Sequence, residues 1–516
     1  MCKTIGGMSQ PNILLVTSDQ QRADCFGFEG RRVHTPHLDQ LAKQGTRFSA
    51  CMAPNPVCQP SRASILTGQL CLTHGVHDNG IDLDPAVGEK GFGGTLSTGG
   101  YDTAFFGKAH FSTYHTFEPT GTPECVSSSV NFGPDWFGPY MGFGHVEMML
   151  IGHNWFLPEK MPRGLHYEHW YHADGKGDEK NRLYQMNGGD TRGAAQTFHS
   201  QLPVAWHNST WTADRAIDWL KQPARKEKPW CAWVSFPDPH HPFDCPEPWS
   251  RLHKPEEVDL PEHRTRDIDK RPWWHRAAIE NEPQGSADNV ATRKQYSRIE
   301  PQTDEQLREI IANTYGQISL IDHQVGRMMI ALEETGQAEN TVVIYTTDHG
   351  DWLGEHGLIL KGPMLYEGLL RVGLIARGPG IEADRVVAEP VSTLDLAATF
   401  HDYSGIPAAL PQHGRSLRTL LEGGAESRDC ARSEWDLLPG RVGVGLSLRF
   451  VRTRHAKLTY EMKSEAGEMY DLRADPQEMN NVFDDPAYAA LRAELLALIH
   501  SRPDDVGPNR TAVGTA

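Results

Sequence analysis

One stretch near the amino end, Asn-Ile-Leu-Leu-Val-Thr-Ser-Asp at residues 12–19, limits the fold more than any other. A continuous apolar run that closes on a carboxylate reads as a strand covered on both faces, with Asp19 at its carboxyl end. Such a strand needs a layer of helices on each side. The sequence predicts further strands at 46–51, 101–107, 230–236, 341–347 and 372–377, and helices at 212–220, 304–335 and 393–403. A Thr-Pro start at 35–36 and a stop at Gly45 mark another helix. Strands alternating with helices give an α/β fold with a mostly parallel central sheet flanked by helices.

A chain of 516 residues exceeds one small core, so a large domain and a smaller one are expected. The larger is placed at 1–414 and carries two insertions. Residues 111–210, rich in Gly, His and aromatics, are expected to be a loop insertion serving a substrate pocket or a subunit contact. Residues 249–305 are charged and expected on the surface. After residue 415 the pattern changes: 446–462 reads as two antiparallel strands and 488–499 as a closing helix, giving a small α+β C-terminal domain.

The net charge of −17 argues against a nucleic-acid partner, so an anion could bind only in a local cationic pocket. No apolar run is long enough to cross a bilayer and no apolar signal core precedes residue 12, so a cytoplasmic protein with no membrane association is expected. The nine cysteines are scattered, without a CxxC pair, which argues against a disulfide framework or a zinc-thiolate site. A homo-oligomer is expected.

In parallel α/β sheets, ligands bind beyond the carboxyl ends of the strands. Four predicted strand ends carry dense polar sequence: SDQQ at 18–21, GKAH at 107–110, PDPHHPF at 237–243 and DHGDWLGEHG at 348–357. A fifth stretch, CQPSR at 58–62, precedes a predicted helix beginning near Ser61, whose N-terminus would favour negative charge. Cys58 is open to three readings: a core thiol, a thiolate nucleophile, or a cysteine that is chemically converted.

With these motifs, and with the lysine of LILKG at 358–362, GPGI at 378–381 and EMYDLRADPQEMNN at 468–481, the chain resembles the type I sulfatases of the alkaline phosphatase superfamily and the related phosphonate monoester hydrolases. The resemblance implies a sulfuric ester hydrolase in which Cys58 becomes formylglycine through a formylglycine-generating enzyme. A hydroxyl of the hydrated aldehyde would be the nucleophile. It implies one divalent metal, Ca²⁺, Mn²⁺ or Mg²⁺, held by Asp19, Gln20, Asp348 and His349 beside Cys58; the family's usual second carboxylate is here Gln20. Arg62 would support the diol or the metal-site anions. Lys108 would bind a sulfate oxygen, and His110 would deprotonate the diol when the intermediate collapses. His240 would protonate the leaving group, Lys361 would hold the bridging oxygen, and Asn79 would contact the anion or serve a turn. The substrate implied is a small sulfate ester, aryl, alkyl or sugar.

Two rivals stand beside this reading: a phosphonate monoester hydrolase or phosphodiesterase using the same site, and a non-catalytic anion-binding protein. The Lys108/His110 pair favours the sulfatase. Trp155, Trp170 and Tyr171 are candidates for a leaving-group pocket, for ordinary packing or for an oligomer contact. No role is assigned to His74, His77, Asp351 or His356, and His241 is expected only to pack.

Overall fold

The computed structural model describes residues 10–150, 164–280 and 299–515. Among the described residues a nine-stranded sheet runs in the order His145–Met149, Asp102–Lys108, Trp230–Ser235, Asn12–Ser18, Thr341–Thr347, Arg371–Arg377, Thr46–Met52 and Arg385–Val387, with Val391–Ser392 also paired to Thr46–Met52. Its central strands are β1 (Asn12–Ser18), β3 (Asp102–Lys108), β5 (Trp230–Ser235) and β6 (Thr341–Thr347), all parallel. On one side, β4 (His145–Met149) extends the parallel set. On the other lie β7 (Arg371–Arg377), antiparallel to its neighbours, then β2 (Thr46–Met52), β8 (Arg385–Val387) and β9 (Val391–Ser392).

β1 shows why its sequence is apolar throughout. Successive side chains of a strand point to opposite faces. Ile13 and Leu15 enter one hydrophobic core, with Phe92, Leu96, Leu396 and Phe400 of the helices Phe92–Thr98 and Asp395–Ser404. Leu14 and Val16 enter the other, with Ala213, Ala216, Ile321, Val325 and Met328 of the helices Asn208–Leu220 and Asp304–Glu334. Val342/Ile344 and Val343/Tyr345 of β6 divide in the same way. The 31-residue helix Asp304–Glu334 opens with a capping box: Gln306 N–H donates to Thr303 Oγ1 at 3.2 Å and Thr303 N–H to Gln306 Oε1 at 3.0 Å.

The predicted loop insertion is partly regular. It supplies the edge strand β4, whose Val146 and Met148 join the first core, and the helices His166–His172 and Gly177–Gln185. The charged excursion after residue 249 includes a helix, Trp273–Glu280, that buries Trp274 and His275. The two predicted C-terminal strands are β11 (Leu446–Arg452) and β12 (Ala456–Glu461), inside a four-stranded antiparallel sheet with β10 (Ala431–Leu437) and β13 (Gly467–Asp471). One face of this sheet packs on the helix Ala489–His500 through Val451, Leu458, Leu495 and Ile499. The other face, through Trp435, Leu448 and Phe450, joins the first core of the large sheet.

The chain then returns to the large sheet. Arg510 pairs with Asp84 at 2.7 Å across 426 residues of sequence. Val513 N–H donates to Gly80 O at 2.8 Å, and Phe117 N–H to Val513 O at 2.9 Å. A Cβ at Gly514 would lie 2.1 Å from His115 O, so only glycine allows this approach.

Candidate active site

β1, β3, β5 and β6 end side by side, and the four polar loops that follow them converge on Cys58. The helix carrying Cys58 begins at Cys58 itself, three residues earlier than predicted, and runs to Thr67. Pro60 fits its first turn because backbone N–H groups there have no intrahelical partner. Gly68, at φ +70°, closes the helix by donating its N–H to Ser64 O at 2.9 Å. Every residue of this helix is buried, so Cys58 is fixed in position.

Around Cys58 Sγ lie His349 Nε2 at 3.1 Å, Lys361 Nζ at 3.2 Å and Asp19 Oδ1 at 3.5 Å. Arg62 reaches both strand-end carboxylates, with Nε 2.9 Å from Asp348 Oδ2 and Nη2 3.1 Å from Asp19 Oδ2. It also donates to Lys108 O at 2.8 Å and Ser235 Oγ at 2.7 Å, tying β1, β3, β5 and β6 together. Lys108 Nζ pairs with Asp19 Oδ2 at 2.6 Å. Lys361 Nζ also donates to Gln20 Oε1 at 2.9 Å and lies 2.9 Å from His240 Nε2 and 3.3 Å from His349 Nε2. Gln20, at φ 66°, is a non-glycine residue in the left-handed region, a conformation that tertiary structure must enforce.

The electrostatics follow from burial and neighbours. For Asp19, burial works toward protonation, but Lys108, Arg62, Lys361 and His349 outweigh it and hold the carboxyl well below its usual range. Asp348 moves the other way, raised by burial and by Asp19. At Cys58, burial and Asp19 oppose ionisation, yet Lys361, Lys108 and His349 bring the thiol down to about 6. Position 58 is therefore a place where negative charge is stabilised. Burial, reinforced by Lys108 and Arg62, drives His110 well below its ordinary value, so its ring is neutral. Neither ring nitrogen of His110 has a hydrogen-bond partner among the described residues.

The donor set fits a divalent cation. Asp19, Cys58, Asp348 and His349 each offer a ligand atom, all within 4.8 Å of one another, and Gln20 adds an amide oxygen. The ammonium of Lys361 already lies against Cys58, His349 and Gln20, so this cluster is shaped around positive charge. Carboxylate and amide oxygens with one imidazole suit Ca²⁺, Mg²⁺ or Mn²⁺.

Asn79 Oδ1 accepts the N–H of Gln59 at 3.1 Å, next to Cys58. Trp170 lines a cavity of about 430 Å³ with Phe137, His169, His172, Trp211 and Arg215, and none of the groups around Cys58 lines it. Tyr171 is buried in an aromatic cluster with Tyr167 and Trp211, and Trp155 lies outside the described residues.

Three residues that pattern reading passes over hold the site. Asp351 accepts from Gln20 Nε2 at 2.6 Å. His241 Nδ1 lies 3.3 Å from the same Gln20 nitrogen, and its ring stacks on His240. Gln317 Nε2 lies within reach of Asp238 Oδ1, Pro242 O and Asp244 Oδ1, at 3.4, 3.3 and 3.2 Å, pinning the loop that carries His240. A signal for Asp351 is present, a third polar residue two places after His349. Gln317 lies in the middle of a long helix, and nothing local marks it.

The comparisons with known proteins agree with this geometry. Residues 11–406 match the family described as Sulfatase, and residues 354–503 match N-sulphoglucosamine sulphohydrolase, C-terminal. The chain is 29% identical over 491 residues to the uncharacterized sulfatase YidJ of Escherichia coli, covering 95% of this chain and 86% of that one. It is 27% identical over 503 residues to an arylsulfatase of Clostridium perfringens, covering 93% and 91%. Among solved structures it resembles a phosphonate monoester hydrolase of Agrobacterium radiobacter, with 26% identity, TM-score 0.74 and 95% of each chain covered. A Sulfatase match over most of the chain, together with strand ends that converge on Cys58, shows that this protein belongs to the sulfatase family of the alkaline phosphatase superfamily.

Proposed function

We propose that the protein hydrolyses small sulfate monoesters, aryl or alkyl and sugar sulfates, with Cys58 converted to formylglycine and one divalent ion held by Asp19, Gln20, Asp348 and His349. The observation that carries this reading is the convergence on Cys58 Sγ of a carboxylate, an imidazole and an ammonium within 3.5 Å, at the first turn of a buried helix. The bound ion would supply Lewis-acid polarisation of a sulfate oxygen. Formylglycine would supply, once hydrated, one hydroxyl to attack sulfur and another whose deprotonation expels sulfate, so water need not attack a crowded anionic centre.

The chain's own groups do the rest. Lys108 and Lys361 bind sulfate oxygens, and Lys361 stands against the nitrogen of His240 that delivers a proton to the departing oxygen. His110, neutral and with both ring nitrogens unpartnered among the described residues, accepts the proton from the side chain at position 58. Arg62 fixes Asp19 and Asp348, and Asn79 fixes Gln59 beside the nucleophile. A formylglycine-generating enzyme is the maturation partner this chemistry requires.

A second reading, phosphonate monoester hydrolysis at the same site, is favoured by the likeness to the Agrobacterium radiobacter enzyme. The Lys108/His110 pair, which suits a sulfate with three free oxygens, favours the first. Turnover of sulfate monoesters, phosphonate monoesters and phosphodiesters at matched leaving groups decides between them. Faster sulfate turnover is expected, and much faster phosphonate turnover would reverse the assignment. The mass of the peptide spanning Cys58 tests the nucleophile: fully active protein with a quantitatively alkylatable thiol would overturn it.

A further inference from the structure

We infer that Asp351 is a positioning residue that locks the orientation of the Gln20 amide, so that its oxygen and not its nitrogen faces the cation cluster. The inference rests on the reading of Gln20 as a metal ligand.

An amide can turn either end toward a metal, and only its oxygen binds one. Gln20 Nε2 donates to Asp351 Oδ2 at 2.6 Å, a short bond to a carboxylate. The other oxygen of Asp351 accepts two backbone N–H groups, Leu353 at 2.7 Å and Leu360 at 2.8 Å. Every partner of this carboxylate is thus a donor, and an amide oxygen turned toward it would meet only negative charge. The opposite end of the amide, Oε1, accepts from Lys361 at 2.9 Å, on the side of Cys58 and His349. Both Gln20 and Asp351 are buried, so water cannot replace either contact. The bond to Leu360 also anchors the backbone next to Lys361, so one carboxylate sets the bearing of two groups in the site.

This arrangement gives a physical account of the glutamine. The position after Asp19 presents a neutral oxygen, and the negative charge sits one hydrogen bond further out, where it polarises that oxygen through the amide. Groups that orient a ligand in this way typically contribute about 10–100-fold to metal affinity.

The test uses Asp351→Asn. The new side chain has the same shape and keeps an oxygen for Leu353 and Leu360, but it turns an NH₂ toward the NH₂ of Gln20, and the Gln20 amide must rotate. In calorimetric titration of metal-stripped full-length protein with Ca²⁺ and Mn²⁺, D351N should bind about 10–100-fold more weakly. The double variant Q20E/D351N should recover most of that loss, because a carboxylate at position 20 can accept from the new amide at position 351 and still present an oxygen to the ion. Melting curves establish that each variant is folded. Q20L is the control for the underlying reading. If Q20L weakens binding and D351N does not, the positioning role is overturned. If Q20L leaves affinity unchanged, Gln20 is no ligand, and both statements fall. If D351N is weak and Q20E/D351N is equally weak, Asp351 acts through the Leu353–Leu360 loop and the proposal is wrong.

Discussion

Two buried charged clusters share the loop 351–366, and they differ in how their charges are paired. On one side, His356 and Tyr366 face Arg271, His275 and Glu468, where the helix Trp273–Glu280 meets the C-terminal sheet. Each charge there has an opposite within ion-pair distance: Arg271 with Asp267 and Glu468, His275 with Glu468, Lys457 with Glu478, and Arg452 with Glu367. On the other side, at the strand ends, Arg62, Lys108 and Lys361 face Asp19 and Asp348. Among the described residues, Lys361 pairs with no carboxylate and the ring nitrogens of His110 make no hydrogen bond. A cluster that only holds a fold pairs its charges off. A cluster that must receive an anion keeps positive charge in excess and leaves a base unengaged.

The contrast can be broken from either side. The largest effect is expected for Asp348→Asn, which keeps the shape of a metal ligand and removes its charge. Metal content and turnover should both collapse, turnover by more than about 10³-fold, a loss of the kind seen when charge stabilisation is removed from a reaction centre. Full metal occupancy in that variant would show that Asp348 belongs to the structural class. His240→Ala should slow esters of poorly leaving alcohols by about 10²–10⁴-fold and those of acidic phenols far less. An equal loss across a series of phenol acidities would mean that His240 only binds.

Glu468→Gln tests the opposite cluster. It should cost about 3 kcal/mol of stability, because Arg271 and His275 lose the buried carboxylate they share, although Arg271 keeps Asp267, while kcat stays at the wild-type value. Burial alone would raise the Glu468 carboxyl, but His275 and Arg271 depress it from the ordinary 4.5 to about 2. Its stabilisation is therefore present above pH 4.5 and is lost as pH falls from there toward 2. Acid unfolding monitored over that window should be shallower in Glu468→Gln, and an unchanged slope would contradict the pairing. The smallest effect is expected for Trp170→Ala. The cavity it lines holds no reacting group, so kcat/KM should move by no more than about twofold. A larger fall would place substrate in that cavity.

Much of this molecule can be read in advance where the physics is local. The apolar run at 13–16 declares a doubly covered strand because both of its faces are core. The strand-end rule then brings Asp19, Lys108, His240 and Asp348 together. β4 escapes such a reading because four of its five residues, His145, Val146, Glu147 and Met148, merely alternate in polarity, and they sit among glycines and aromatics. The start of the Cys58 helix is misplaced by three residues because Pro60 reads as a boundary, whereas in a first turn it is tolerated. The partners of Asp351, whose carboxylate does stand within a polar motif, and of Gln317 are hidden for a different reason. Their roles are defined by what they touch 331 and 75 residues away, and no short window of sequence contains both partners.

The returning segment at 510–515 has a consequence in time. Its partners, Asp84, Gly80 and His115, are made long before it, with 426 residues separating Arg510 from Asp84. At ribosomal speeds that distance is roughly 20–90 s of synthesis. Throughout that interval the loops beside Asn79 and Tyr114 lack the backbone partners that later join them. The closing of this part of the fold thus waits on synthesis, and its timing is set by position along the chain as much as by local chemistry.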